Sequence, residues 1–240
     1  MSTEQPIPPA DLEAFDAASD AWMLASVRAR YSYNFTWMGR PIIQYPQDIV
    51  AMQQLIWQVQ PDLIIETGIA HGGSLILSAS LLELNAIGGG PADARVLGVD
   101  IDIREHNRVA IEAHPMYKRI DMIQGSSIDP AIVAQVHAAA EGKQRILISL
   151  DSNHTYDHVL AELEAYAPLT TVDSYCVVFD TVVERLPKVL YPDRPWGPGN
   201  SPETAVHEYV AKHPEFQIDT DIDRQLAVSV APNGYLRRIS

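Results

Sequence analysis

Five short apolar runs recur along the chain, and helical periodicity fills the gaps between them. Leu63–Ile65, Val96–Val99, Ile120–Ile123, Ile146–Leu150 and Tyr175–Phe179 mostly lack the polar–apolar alternation of a half-exposed strand. They read as strands of a parallel sheet covered on both faces. Helices are predicted from Ser74 to about Leu84, Arg104 to His114, Pro130 to about Glu141, and Tyr156 to Tyr166. Asp129-Pro130 supplies a cap and a first-turn proline for the third of these. Ahead of the first strand, Leu12, Phe15, Ala18, Trp22, Leu24 and Val27 fall on one side of a helix over Asp11–Arg30, and Ile49, Met52, Leu55, Ile56 and Val59 on one side of a second over Gln47–Val59. The aromatic stretch Tyr31–Ile43 lies between them, either as packing for this layer or as a cap over a pocket. Residues 1 to about 9 read as a loose, proline-rich tail.

Beyond the fifth strand the pattern changes. Thr181–Asn200 is rich in proline and glycine around Trp196, and reads as a long ordered loop placed to act as a lid. A helix follows from Ser201 to Lys212. Phe216–Asp219 and Leu226–Val230 then read as an antiparallel pair around a polar turn at Asp221–Arg224. The expectation is an α/β, Rossmann-like fold with a C-terminal antiparallel hairpin. Residues 1–60 form an N-terminal helical extension and residues 61–240 the main domain.

Charge narrows the function. The 240-residue chain carries a formal net charge of -14, with 17 Lys and Arg against 31 Asp and Glu. A nucleic-acid partner is disfavoured, since binding a polyanion needs clustered cations. Cys176 is the single cysteine, so no internal disulfide forms. No apolar run approaches the ~20 residues that span a bilayer. The start, Met1-Ser2-Thr3-Glu4-Gln5, has neither the basic region nor the apolar core of a signal peptide. A soluble cytoplasmic protein is expected.

Candidate chemistry gathers at the strand ends. Glu66, Asp100, Asp151 and Asp180 each close a predicted strand. In an open parallel sheet, ligands bind outside those carboxyl ends. Glu66-Thr67-Gly68 and His71-Gly72-Gly73-Ser74 form a glycine-rich strand-to-helix turn, which allows close backbone approach to a ligand. It is not the dinucleotide pattern G-x-G-x-x-G; an acid followed by G-x-x-x-G resembles the turn of S-adenosylmethionine-dependent methyltransferases. On that reading Glu66 helps hold the cofactor's ammonium, and Gly68, His71, Gly73 and Ser74 line its methionine end. Asp100, with Asp102 as competitor, takes the ribose hydroxyls, and Ser126 and Ser127 lie at the adenine edge. The other reading of the two serines is helix capping ahead of Asp129.

Asp151-Ser152-Asn153-His154-Thr155-Tyr156-Asp157-His158 is the densest polar cluster. Asp151 and Asp180 suit a hard divalent ion such as Mg²⁺. His154 is placed to take a proton from a substrate hydroxyl, with His158 the next candidate. The segments Ile65–Gly68, Gly72–Ser74, Gly98–Asp102, Gln124–Ser127, Leu150–His154 and Val177–Thr181 together resemble the cephalosporin hydroxylase / rhamnosyl O-methyltransferase family, over about residues 35 to 240. The resemblance implies a class I methyltransferase sheet and an S-adenosylmethionine-dependent O-methyltransferase. It also implies a sugar or glycoside as acceptor, assistance by Mg²⁺ and a homo-oligomer. In one respect the chain departs from the family: metal-dependent relatives carry an acidic pair at the end of the fifth strand, where this chain has Phe179-Asp180. Two rival readings stand beside this one. In a non-haem iron hydroxylase, His154, His158 and Asp151 would surround the iron. A non-catalytic cofactor-binding partner protein would account for Phe179.

Overall fold

A computed structural model describes residues 8–240. The tail expected at the N-terminus lies, up to residue 7, outside the described residues. Helix α1 (Pro9–Arg28) leads through a 3-10 turn (Tyr31–Asn34) to a small hairpin, β1 (Phe35–Trp37) and β2 (Arg40–Ile42), and then to α2 (Pro46–Val59). The main run is β3 (Leu63–Thr67), α3 (Gly73–Ile87), β4 (Arg95–Asp100), α4 (Glu105–Glu112), β5 (Ile120–Gln124), α5 (Pro130–Ala140), β6 (Ile146–Leu150), α6 (Tyr156–Tyr166) and β7 (Tyr175–Val178). It is followed by α7 (Pro202–Lys212), β8 (Phe216–Ile218), α8 (Thr220–Leu226) and β9 (Tyr235–Arg238).

The seven-stranded sheet has the order β5-β4-β3-β6-β7-β9-β8. The first five strands in this order are parallel to one another, and β9 pairs antiparallel with both β7 and β8. Every residue of β3 and β6 is buried, as their unbroken apolar runs require. The chain builds β3, β4 and β5 outward on one side, then returns to build β6 and β7 on the other. The order therefore reverses between β3 and β6, where a ligand crevice opens in such sheets. Glycine and aspartate meet at that point: a Cβ on Gly68 would lie 2.1 Å from the Asp151 carbonyl oxygen.

Three expectations need correction. The terminal antiparallel pair exists, but its second strand is β9 and not Leu226–Val230. The Val230 N–H donates to the Asp48 carboxylate, which also accepts from the Ser229 and Tyr235 hydroxyls. The backbone there is satisfied by a buried side chain and not by a ladder. The supposed turn at Asp221–Arg224 lies within α8, capped by the Asp219 carboxylate. Finally, the apolar side of α1 is only half used. Met23 and Ser26 are buried, whereas Leu12, Phe15 and Trp22 are 47%, 55% and 38% exposed. Only the C-terminal half of α1 reaches the body, where Trp22 packs edge-on against Tyr31 and Tyr45. Among the described residues no helix is long and apolar enough to cross a membrane.

Candidate active site

The turn after β3 is built around contacts that leave no room for side chains. Gly68 has φ +89°, and a Cβ on Gly73 would lie 2.2 Å from the Pro41 carbonyl oxygen. Asp100, arriving from β4, braces the turn: one carboxylate oxygen accepts from the N–H groups of Ile69 (2.7 Å) and Ala70 (3.1 Å), and the other from Asp102 (2.9 Å). Asp102 thus serves as a donor to Asp100 through its backbone. The Asp100 oxygens retain lone pairs for a further donor. A cavity of about 260 Å³ opens here, lined by Gly68, His71, Gly73, Ser74 and Asp100 on one side and by Tyr33 and Ile42 on the other. The aromatic stretch therefore both packs and caps, as the Tyr31 contacts with Trp22, Phe35 and Tyr45 also show.

Three residues expected at a cofactor lie off this wall. Glu66 is only 3% exposed and does not line the cavity. Because it sits inside the fully buried β3, its carboxylate is turned under the turn, where it accepts from the Ser74 hydroxyl. Burial pushes its pKa up to about 8, against the pull of the Ser74 hydrogen bond. Ser126 and Ser127 line neither this cavity nor the larger one beside it. The Ser127 hydroxyl instead bonds His158 Nε2 (3.1 Å), and the Ser126 carbonyl accepts from Asp129 N–H. The cap of α5 is Asp129 and not either serine.

The Glu66 geometry has a measurable consequence. The native state holds a proton on Glu66 that the unfolded chain releases near its ordinary value of 4.5. Between that value and about 8 the native state binds more protons, so this group makes stability fall as pH rises. Glu66→Gln removes the group, and the decline in Tm across that window becomes shallower than in the wild type. An identical slope in both proteins would place an ionised carboxylate at Glu66.

His154, Asp151 and Asp180 converge at the ends of β6 and β7. His154 Nε2 lies 3.1 Å from Asp180 Oδ2 and 3.5 Å from Asp151 Oδ1. One ligand atom from each residue lies within 4.8 Å of the other two. Burial alone would lower the His154 pKa, but the carboxylates of Asp180 and Asp151 outweigh it and push it up to about 9. Burial also raises Asp151 to about 6, opposed by its hydrogen bond from His154. The raised pKa favours a protonated imidazole on His154 beside the two aspartates.

This trio sits where two cavities meet. The second cavity, about 800 Å³, shares Asp151, His154, Asp180, Tyr33 and Gln44 with the first and continues past Tyr45, Tyr191 and Trp196. Trp196 lies against His154, with ring centroids 4.8 Å apart. The loop carrying it is tied down: Lys188 donates to the carbonyls of Arg194 and Trp196, and Glu184 accepts from Gly199 N–H and Ser201. Phe179 is buried and lines the larger cavity, so the trio has two carboxylates where an acid at this position would give three. His158 stands apart, bonded to Ser127 and Ser152 and facing Glu162. A two-histidine, one-carboxylate iron set is therefore not assembled among the described residues. Gln44 carries no signal in the sequence, yet it is 5% exposed and its Oε1 is without a hydrogen-bond partner among the described residues.

Residues 29–239 match the family described as Rhamnosyl O-methyltransferase/CmcI. The chain belongs to this family. Its relatives include the rhamnosyl O-methyltransferase of Mycobacterium tuberculosis, 31% identical over 208 residues that cover 85% of this chain and 78% of that protein. The rhamnosyl O-methyltransferase of Mycobacterium leprae is 29% identical over 205 residues, covering 85% and 82%. Among solved structures, the Mg–SAM form of CmcI shares 18% identity and aligns over 87% of this chain and 78% of that one, with a TM-score of 0.60. A TDP-rhamnose 3'-O-methyltransferase of calicheamicin biosynthesis shares 18% identity, with coverage of 85% and 86% and a TM-score of 0.50. These two likenesses establish the Rossmann-like methyltransferase fold.

Proposed function

We infer that this member of the family is an S-adenosylmethionine-dependent O-methyltransferase acting on a hydroxyl of a sugar or glycoside. The observation that carries the reading is the meeting of two cavities at His154, Asp151 and Asp180. A group-transfer enzyme needs donor and acceptor on either side of one reacting point. The smaller cavity suits the donor: its glycine turn admits a ligand against bare backbone, and Asp100 has acceptor capacity left for hydroxyls. The larger cavity, with Tyr45, Tyr191 and Trp196 on its walls, suits a sugar ring. The acceptor class follows the rhamnosyl activity of the relatives.

Two carboxylates at the junction also fit a hard divalent ion completed by water, with Asp151 and Asp180 as its holders. When bound, S-adenosylmethionine supplies an electrophilic methyl carbon, and Mg²⁺ supplies positive charge that makes a nearby hydroxyl more acidic. The chain's own part is positioning and proton transfer. His154 Nε2, once deprotonated, would accept the proton of the acceptor hydroxyl while the methyl group passes to that oxygen and S-adenosylhomocysteine leaves with the sulfur's electron pair. Asp180 and Asp151 stabilise the imidazolium that results. Trp196 offers a ring face beside that hydroxyl, held in place by the tied-down loop. Orientation of two bound reactants in line accounts for much of the acceleration.

Two wider expectations accompany this reading. The uncovered apolar side chains of α1 support a homo-oligomer, and the single buried thiol of Cys176 suits a cytoplasmic setting. The test of function is direct. The protein incubated with S-adenosylmethionine and a rhamnoside yields S-adenosylhomocysteine and an acceptor heavier by one methylene. EDTA suppresses the rate and Mg²⁺ restores it. Full activity in EDTA would remove the metal and leave His154 acting with its two carboxylates alone.

A further inference from the structure

We propose that the acceptor carries an anionic group beside the sugar, held by Arg30 and Arg194, which both line the larger cavity. The inference rests on the methyltransferase reading for the identity of the junction, and adds a chemical class to the acceptor. Size is the first argument. A cavity of about 800 Å³ falls within the ~300–1,000 Å³ typical of sites for drug-sized ligands, so it has room for more than one hexose.

Charge is the second. In a chain with 31 acidic and 17 basic residues, most well-placed arginines find a carboxylate, as Arg95, Arg119, Arg185 and Arg237 do. Arg30 and Arg194 line the same cavity and form no ion pair among the described residues. Asp193 lines the cavity too, but it bridges neither. The cavity thus has Asp151 and Asp180 on its lining together with two guanidinium groups that are unpaired among the described residues. A guanidinium fork is suited to phosphate or carboxylate oxygens, which it can bind bidentately.

Geometry is the third. Arg194 stacks over Trp196, with its Cζ 5.1 Å from the ring centroid, and Trp196 in turn packs on His154. The three side chains form a continuous series. A sugar lying on Trp196 with its reacting hydroxyl at His154 brings the substituent across the ring to Arg194. Arg30 lines the same cavity from a left-handed backbone position (φ +52°) that joins α1 to the turn bearing Tyr33. Such positions persist in side-chain-bearing residues where the surroundings hold them.

The test is calorimetric titration of the full chain, with and without S-adenosylhomocysteine, using four probes. These are TDP-rhamnose, rhamnose 1-phosphate, a 4-carboxyphenyl rhamnoside and the neutral methyl rhamnoside. An anionic probe binds more tightly than the methyl rhamnoside, and its affinity falls as salt is raised. Arg30→Gln and Arg194→Gln each weaken that probe by about tenfold, as loss of a charge-assisted hydrogen bond requires, and leave the methyl rhamnoside unchanged. Both arginines are exposed, and retained S-adenosylhomocysteine binding shows that the variants are folded. Preference for TDP-rhamnose over the other anions identifies a diphosphate, and preference for the carboxyphenyl glycoside identifies a carboxylate. The proposal is overturned if the neutral rhamnoside binds as well as every anionic probe, or if both variants bind the best anion as the wild type does. Absence of S-adenosylhomocysteine binding in the wild type would instead sink the methyltransferase reading, and the cofactor-free titrations would still decide the anion site.

Discussion

His154→Ala lowers kcat by about 10²–10⁴-fold, the range expected for loss of a general base, while the affinity for S-adenosylhomocysteine stays at the wild-type value. The two effects separate because His154 lies at the junction, and the glycine turn and Asp100 hold the far side of the smaller cavity without it. The carboxylates that raise its pKa to about 9 also set the pH dependence. Only the neutral imidazole can accept a proton, so kcat of the wild type rises with pH as His154 deprotonates. A divalent ion between Asp151 and Asp180 neutralises the charges that hold the imidazolium, and moves this limb to lower pH. The His154→Ala profile loses the limb. An alanine variant with wild-type kcat would contradict the assignment. The substitute that the sequence offers, His158, is already bonded to two serine hydroxyls.

Gly68→Ala damages stability and activity together. The φ of +89° already strains any residue with a Cβ, at about 1–3 kcal/mol. Crowding adds to this, because the new carbon lies 2.1 Å from the Asp151 carbonyl oxygen and 2.6 Å from its carbon. Neither atom belongs to a flexible side chain. One of the two strand ends must move, and Asp151 carries the junction. Tm falls by roughly 2–4 °C per kcal/mol for a chain of this size, and methyl transfer falls in the surviving folded fraction as well. Thermal unfolding and single-turnover rates measure the two losses. Gly142→Ala is the contrast: φ there is +76°, but nothing lies within 4 Å of the added carbon. It costs stability without touching the junction.

The contrast also marks what could be read from the residues. The sheet was legible because β3 and β6 are buried on both faces, so their sequences cannot alternate. Carboxylates at strand ends were legible because parallel order puts those ends on one edge. The β1–β2 hairpin was not, because its turn, Met38-Gly39, places a non-glycine at φ +45° and leaves only Gly39 as a signal. β9 escaped for a related reason. Arg237 and Arg238 look solvent-facing, yet Arg238 donates to the carbonyls of Pro168 and Thr170 and lies over Phe216. The valines of Leu226–Val230 looked like a strand because nothing local reveals that Asp48, far away in sequence, takes their backbone hydrogen bond.

The site divides along the same line. Asp151, His154 and Asp180 were legible as types at strand ends, and they do come together. The direction of Glu66 was not, because it depends on which face of β3 the carboxylate occupies. Neither was the partner choice of Ser127, which faces His158 across the β5 and β6 ends. Gln44, Tyr191 and Arg194 come from segments without periodicity, and only the tertiary fold brings them to one cavity.

The central claim is that methyl transfer takes place where the two cavities meet. Transfer of a labelled methyl group from S-adenosylmethionine to a rhamnosyl acceptor, measured for the wild type and for Asp180→Asn side by side, tests it most directly. The substitution keeps the size of the side chain and removes the charge that lies 3.1 Å from His154. The account predicts label on a sugar oxygen in the wild type. It predicts little or none with Asp180→Asn, with S-adenosylhomocysteine still binding to both. Equal transfer by the two proteins would contradict the account.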